Sequence, residues 1–236
     1  MKYDDIAATI SSRLQLASPA VALSFVEAAP TGMPVFSGDV PSACALWRKA
    51  EAGVFYASAE KHFNCPIGAM TMGFEMTNEV QQNLMGVVEK MCGVGYIAPE
   101  EAARIPSIKK KKSGIVYGPL QAFPLEPDLV LMWLTPGQAM LYGEAAGTCR
   151  WTESTPTATF GRPSCAALPV AFDTSQATLS LGCLGMRIFT EISENRLLAV
   201  LPGSKVGEFS QALESITAAN EEMGLFYRGH KANFAA

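Results

Sequence analysis

Pro41-Ser42-Ala43-Cys44-Ala45-Leu46 returns later in the chain, slightly rearranged, as Pro163-Ser164-Cys165-Ala166-Ala167-Leu168. Each copy is followed by a stretch that reads as a strand, and then by a second cysteine where the strand pattern gives way to a helix. The intervals are 21 residues from Cys44 to Cys65 and 18 from Cys165 to Cys183. An apolar run of strand length precedes each unit as well, Ala20 to Val26 and Leu129 to Leu134. A strand and helix unit that occurs twice predicts an α/β chain. Residues 1–236 then form a single domain of two related βαβα-type halves, 17–105 and 114–222, packed about a pseudo-two-fold axis.

The rest of the pattern agrees with this class. Residues 4–16 read as an amphipathic helix. Ser42, a good N-cap, opens a helix that Gly53 stops. Residues 54–59 follow as a strand, and Pro66 sits where a first helical turn accepts proline. Helical periodicity runs over 77–92 through Val80, Leu84, Val87, Val88 and Met91, and a short helix begins at Pro99. Strands are expected at 114–118, 129–134, 177–182 and 196–201. Helices are expected at 136–146, from 163, from 183, and over 204–222, with a polar loop reaching to about 162.

Composition excludes several function classes. Of 236 residues 49% are apolar and 17% charged, with 18 Lys plus Arg against 22 Asp plus Glu, so no basic surface for nucleic acid is expected. The start, MKYDDIAATISSRL, has early acidic residues and no unbroken apolar core, unlike a signal peptide. The longest strongly apolar run, Leu129 to Leu134, is far short of the ~20 residues a membrane span needs. A cytoplasmic protein is expected, without a membrane partner. There the six cysteines stay reduced and serve as buried, catalytic or metal-binding groups rather than disulfides.

Two cysteines from each half, at corresponding positions, supply four thiolates to one central site. Four thiolates are what an iron-sulfur cluster or a tetrahedral zinc takes. Cys65 and Cys183 fall at predicted helix starts, where free backbone N–H groups favour a thiolate. Gly182 and Gly185 flank Cys183 and allow close backbone approach. Set against this, no C-x2-C spacing occurs, and a small reduced cysteine is often just a buried apolar residue. Cys92 reads as core and Cys149 as an incidental surface thiol. His62, three residues before Cys65, is either a general acid or base or a solvated loop histidine. Arg48 and Arg187 either neutralise an anionic cluster or form surface ion pairs. His230, in a terminal tail, gets no role. Lys109 to Lys112 read as a solvated turn. Gly93-Val94-Gly95-Tyr96-Ile97-Ala98 fits a dinucleotide signature, but it follows a helix instead of a strand.

The chain also resembles a prokaryotic family, the domain of unknown function 169. The resemblance rests on Pro19-Ala20-Val21-Ala22, Cys44, His62-Phe63-Asn64-Cys65-Pro66-Ile67-Gly68, Pro127-Asp128-Leu129-Val130 and Leu181-Gly182-Cys183-Leu184-Gly185-Met186-Arg187. It covers nearly the whole chain and selects Cys44, Cys65, Cys165 and Cys183 again. Met186 stands where relatives sometimes carry another cysteine. The resemblance implies no particular reaction.

The expectation is therefore an iron-sulfur protein with a 4Fe-4S cluster on Cys44, Cys65, Cys165 and Cys183, for electron transfer, redox sensing or small-molecule reduction. A redox partner or a small-molecule ligand accompanies this reading, and a homo-oligomer is compatible with it. His62 and Arg187 are the candidate catalytic residues. One rival is a structural zinc protein on the same thiolates. The other is a metal-free thiol enzyme or binding protein that uses Cys65 with His62.

Overall fold

In the computed structural model, residues 3–109, 112–148 and 159–234 are described. The first part of the chain carries α1 (Tyr3–Leu14), β1 (Val21–Val26), α2 (Ala43–Lys49), β2 (Phe55–Ser58), α3 (Pro66–Thr71), α4 (Asn78–Gly93), α5 (Pro99–Ala102) and β3 (Gly114–Pro119). The second carries β4 (Leu129–Leu134), α6 (Pro136–Ala145), β5 (Thr159–Phe160), α7 (Ala167–Thr174), β6 (Thr178–Ser180), α8 (Leu184–Thr190), β7 (Leu197–Pro202) and α9 (Val206–Ala232).

Local chemistry sets several of these boundaries. Thr135 caps α6 by accepting the Gln138 N–H (3.3 Å), while the Gln138 side chain accepts the Thr135 N–H (2.7 Å), a reciprocal capping box. Thr77 caps α4 in the simpler way, accepting the Val80 N–H. Pro66 and Pro136 open α3 and α6, where a missing N–H costs nothing. Gly203 follows β7 where only hydrogen fits, since a Cβ there would stand 1.6 Å from the Pro127 carbonyl oxygen.

The strands form one sheet in the order β2-β3-β1-β4-β7-β6-β5. Neighbours are antiparallel, except for the short β5, which runs parallel to β6. β3 lies between β1 and β2, pairing Val21 with Pro119 on one side and Phe55 with Tyr117 on the other. β7 lies between β4 and β6 in the same way, pairing Leu129 with Pro202 and Thr178 with Val200. The six longer strands therefore read alike from either end of the sheet, β1 matching β4, β2 matching β6 and β3 matching β7. This is a symmetry of connectivity, and it groups β3 with β1 and β2.

Alternation along the strands divides the core between two faces. Leu23, Tyr117, Leu131, Trp133 and Val200 point to one face, where they pack with Leu46, Trp47, Met72 and Leu168. Ala22, Val116, Val130, Met132 and Leu201 point to the other and meet Ile6, Ile10, Tyr142, Phe209 and Leu213 from α1, α6 and α9. Burial on both faces explains why LVLMWL reads as an unbroken apolar run. The molecule is thus a single α/β domain of three layers. All four selected cysteines lie on the face covered by α2, α3, α7 and α8.

The sequence ended its last helix at 222, whereas α9 continues to Ala232. His230, expected in a frayed tail, lies within that helix. No described helix is long and apolar enough to cross a membrane.

Candidate functional site

The four cysteines reach one place from four separate chain segments. Cys44 lies in the first turn of α2, and Cys65 is the N-cap residue of α3. Cys165 belongs to the 3-10 turn Ser164–Ala166 that leads into α7, and Cys183 is the N-cap residue of α8. Helix α2 packs on both α8 and α3, and α3 packs on the turn carrying Cys165. All four side chains line a single cavity of about 470 Å³. The described Cys92 is not among its lining residues. Cys149 lies outside the described residues.

Polar groups in this otherwise apolar wall are directed at the sulfurs. Ser42 Oγ lies 3.0 Å from Cys44 Sγ, and the Met186 N–H donates to Cys183 Sγ at 3.4 Å. The backbone N–H groups of Ala43 and Gly68 interact with the Cys65 thiol, and the Thr71 side chain interacts with Cys165. Ser164 Oγ accepts the Cys183 N–H at 2.6 Å, tying the fourth cysteine to the turn of the third. Ser42 and Ser164 are the serines of the repeated motif, so the repeat supplies these polar partners along with the thiols.

Desolvation by burial dominates the acidity of Cys44, Cys65 and Cys165. It pushes the Cys44 thiol up to about 12, with Ser42 opposing and the neighbouring Cys65 and Cys183 adding repulsion. Burial likewise raises Cys65, against the two backbone donors. Cys165 is raised well above the usual thiol range by burial and then by Cys65. Without a compensating cation these thiols are neutral at pH 7. A metal reverses that logic, because it binds the deprotonated form.

The wall is close-packed on one side and roomy on another. A Cβ on Gly68 would stand 2.6 Å from the Ala43 Cβ and 3.2 Å from Cys65 Sγ, so this glycine lets α2 and α3 approach. Gly182 has φ +87, a conformation open to glycine. A Cβ on Gly185 would meet only the Phe189 ring, at 3.7 Å, leaving free space at the cavity wall. Trp47 also lines the cavity, and its buried indole N–H has no hydrogen-bond partner among the described residues.

The other sequence candidates take different places. His62 is fully buried, which corrects the picture of a solvated loop histidine. Its Nδ1 lies 2.9 Å from the Ser58 carbonyl oxygen and its Nε2 lies 2.9 Å from the Tyr117 hydroxyl. The carbonyl can only accept, so Nδ1–H donates to it and the tyrosine donates to Nε2. His62 is absent from the cavity lining. Arg187 is held by carbonyl oxygens, those of Leu181 (2.6 Å), Ser193 (3.2 Å) and Arg196 (3.3 Å), and it does not line the cavity either. Arg48 pairs with Glu51, which also accepts the Trp133 indole N–H at 3.1 Å. Of the basic run, Lys112 pairs with Glu27, while Lys110 and Lys111 lie outside the described residues.

Sequence reasoning missed Lys90, Tyr96 and Arg162, which line the same cavity. The Arg162 guanidinium lies 4.3 Å from the centre of the Tyr96 ring, and the Tyr96 hydroxyl accepts the Leu184 N–H at 3.2 Å. No local motif marks these three, because only the fold brings them together.

Chemically, the site is a set of four soft donors with no carboxylate in the lining. Among the described residues no three His, Cys, Asp or Glu side chains are arranged to hold a single metal ion. One tetrahedral zinc draws every thiolate to within about 2.3 Å of one centre. A cluster spreads its thiolates over several irons and suits a wider arrangement. A larger, more open cleft of about 1040 Å³ runs past Asp4, Glu126, Asp128 and Ser204, with no cysteine, histidine, lysine or arginine in its lining.

A family model described as uncharacterised ArCR, a domain of unknown function, matches residues 9–212, a range that takes in all four cysteines. No curated protein and no solved structure matches the chain.

Proposed function

We propose that this chain, which belongs to the domain of unknown function 169 family, binds a 4Fe-4S cluster through Cys44, Cys65, Cys165 and Cys183. The observation that carries the proposal is the convergence of these four thiols, from four separate segments, on one apolar cavity without a carboxylate. Donor groups at the sulfurs add support, since N–H and O–H groups directed at thiolates are how a protein stabilises and tunes a cluster. The unpaired Trp47 N–H in the wall would find an acceptor in a sulfide or in a bound ligand.

A bound cluster would supply one-electron chemistry, which serves electron transfer, redox sensing or the reduction of a small molecule. The chain's own residues hold the thiols in place and offer hydrogen bonds to sulfur. The same reading puts the protein in the reducing cytoplasm, with a redox partner or a small-molecule ligand and without nucleic acid, in keeping with its net charge of −4.

The metal-free thiol reading is the weaker rival. A nucleophilic cysteine needs a lowered pKa and a base in reach. Burial raises Cys65 instead, and His62 spends both ring nitrogens on Ser58 and Tyr117. Zinc on the same thiolates is the other rival, and metal analysis of the purified protein separates it from a cluster.

A matched pair of variants tests the proposal. Cys65→Ala is expected to abolish iron binding and destabilise the fold, because ligand binding free energy is also folding free energy. Cys92→Ala is expected to keep the iron of the wild type. Equal metal content in wild type and both variants after anaerobic purification rejects the cluster. Cys65→Ala would then cost only about 1 kcal/mol, as a small core truncation does.

A further inference from the structure

The cavity holds more than a cluster needs. An eight-atom cluster core displaces on the order of 150 Å³ at interior packing density, which leaves roughly 300 Å³, the lower end of small-molecule pockets. Helix α4 turns one face toward this space, Val87, Lys90, Met91 and Val94, which follow one another at helical spacing. Ile97, Ile105 and Ile188 add to an almost wholly apolar lining.

Charge in the lining has one sign. Lys90 and Arg162 are its charged side chains, and neither has a carboxylate partner among the described residues. Arg162 is fixed over the Tyr96 ring, and Tyr96 is fixed in turn by its hydrogen bond from α8. An arginine held on an aromatic face presents its N–H fork in a set orientation, the arrangement that suits a carboxylate.

We infer that this cavity binds a small organic acid, one carboxylate on an aromatic or branched aliphatic body. Lys90 and Arg162 take the carboxylate, and the body lies against Val87, Met91, Ile97 and Ile188. The inference rests on the cluster reading, since the acid shares the cavity with the metal site, and it names the ligand class on which the cluster would act.

The test uses 4-phenylbutyrate and 4-methylpentanoate as probes, with their neutral primary amides as matched controls. Binding is measured by titration calorimetry on full-length protein with iron and acid-labile sulfide determined on the same sample. Each acid is expected to bind at least ten-fold more tightly than its amide. In the Lys90→Gln/Arg162→Gln double variant that preference is expected to vanish, with thermal midpoint and iron content unchanged. Equal affinity for acid and amide, no binding of either, or a preference that survives the double variant overturns the inference. A rim that only steers an acidic protein gives the equal-affinity result. Acid preference in protein that never carries iron contradicts the cluster and leaves the acid site standing. A cluster without acid preference does the reverse.

Discussion

His62 shows how far a single residue can be read from its neighbours in sequence. Three positions from Cys65, it looked like a partner for that thiol or a loop residue in water. It is neither, because its partner Tyr117 lies 55 positions away on β3, and no local pattern announces such a pairing. Burial holds the imidazole down to about 4 from its ordinary 6.5. The unfolded chain therefore binds a proton more readily than the folded one, and stability falls as pH drops from 6.5 toward 4. Over that window His62 alone should cost about 3 kcal/mol, with no contribution above pH 7. Urea unfolding of wild type and His62→Gln at pH 7 and pH 4.5 checks this. The variant should lose much of the acid sensitivity, and identical pH dependence in both proteins contradicts the buried-neutral assignment. Arg187 teaches the same lesson, since the carbonyl oxygens that hold it are set by the fold. The cysteines were legible at this scale because a repeat and a family resemblance marked the same four. Lys90, Tyr96 and Arg162 were not, because each is ordinary in its own segment.

At the scale of elements, helices and strands were readable where periodicity and punctuation agree. LVLMWL, the helix that starts at Pro136, and the prolines that open α3 and α5 all fall where expected. What the sequence could not show was the insertion of β3 between β1 and β2, because pairing across that distance leaves no local trace. Nor did it show the length of α9, since Gly224 and Gly229 argue against a helix that tertiary context nonetheless continues. The fit between α2 and α3 is also an element-scale property, and it carries a prediction. Gly68→Ala places a methyl against Ala43 and Cys65 Sγ, so it should cost about 1–3 kcal/mol and lower iron content by displacing Cys65. The control is Gly86→Ala on exposed α4, where a Cβ meets nothing within 4 Å. That change should be neutral or stabilise by up to about 1 kcal/mol. Equal effects of the two substitutions on stability and iron content would mean that the approach of these helices is not what positions Cys65.

For the whole molecule, the sheet and the site share one logic. Strand order repeats from either end, and two of the cysteines come from the Ser–Cys motifs while the other two come from the starts of the helices that follow β2 and β6. The four cysteines come to one cavity from four separate segments, and a metal bound there would tie those segments together, so loss of the metal should weaken the entire domain and not one loop. The most direct measurement is the iron and acid-labile sulfide content of anaerobically purified wild-type protein, taken with its absorbance near 400 nm. The expected result is about four irons and four sulfides per chain with a broad band in that region. Stoichiometric zinc, or colourless protein without iron or sulfide, contradicts the account.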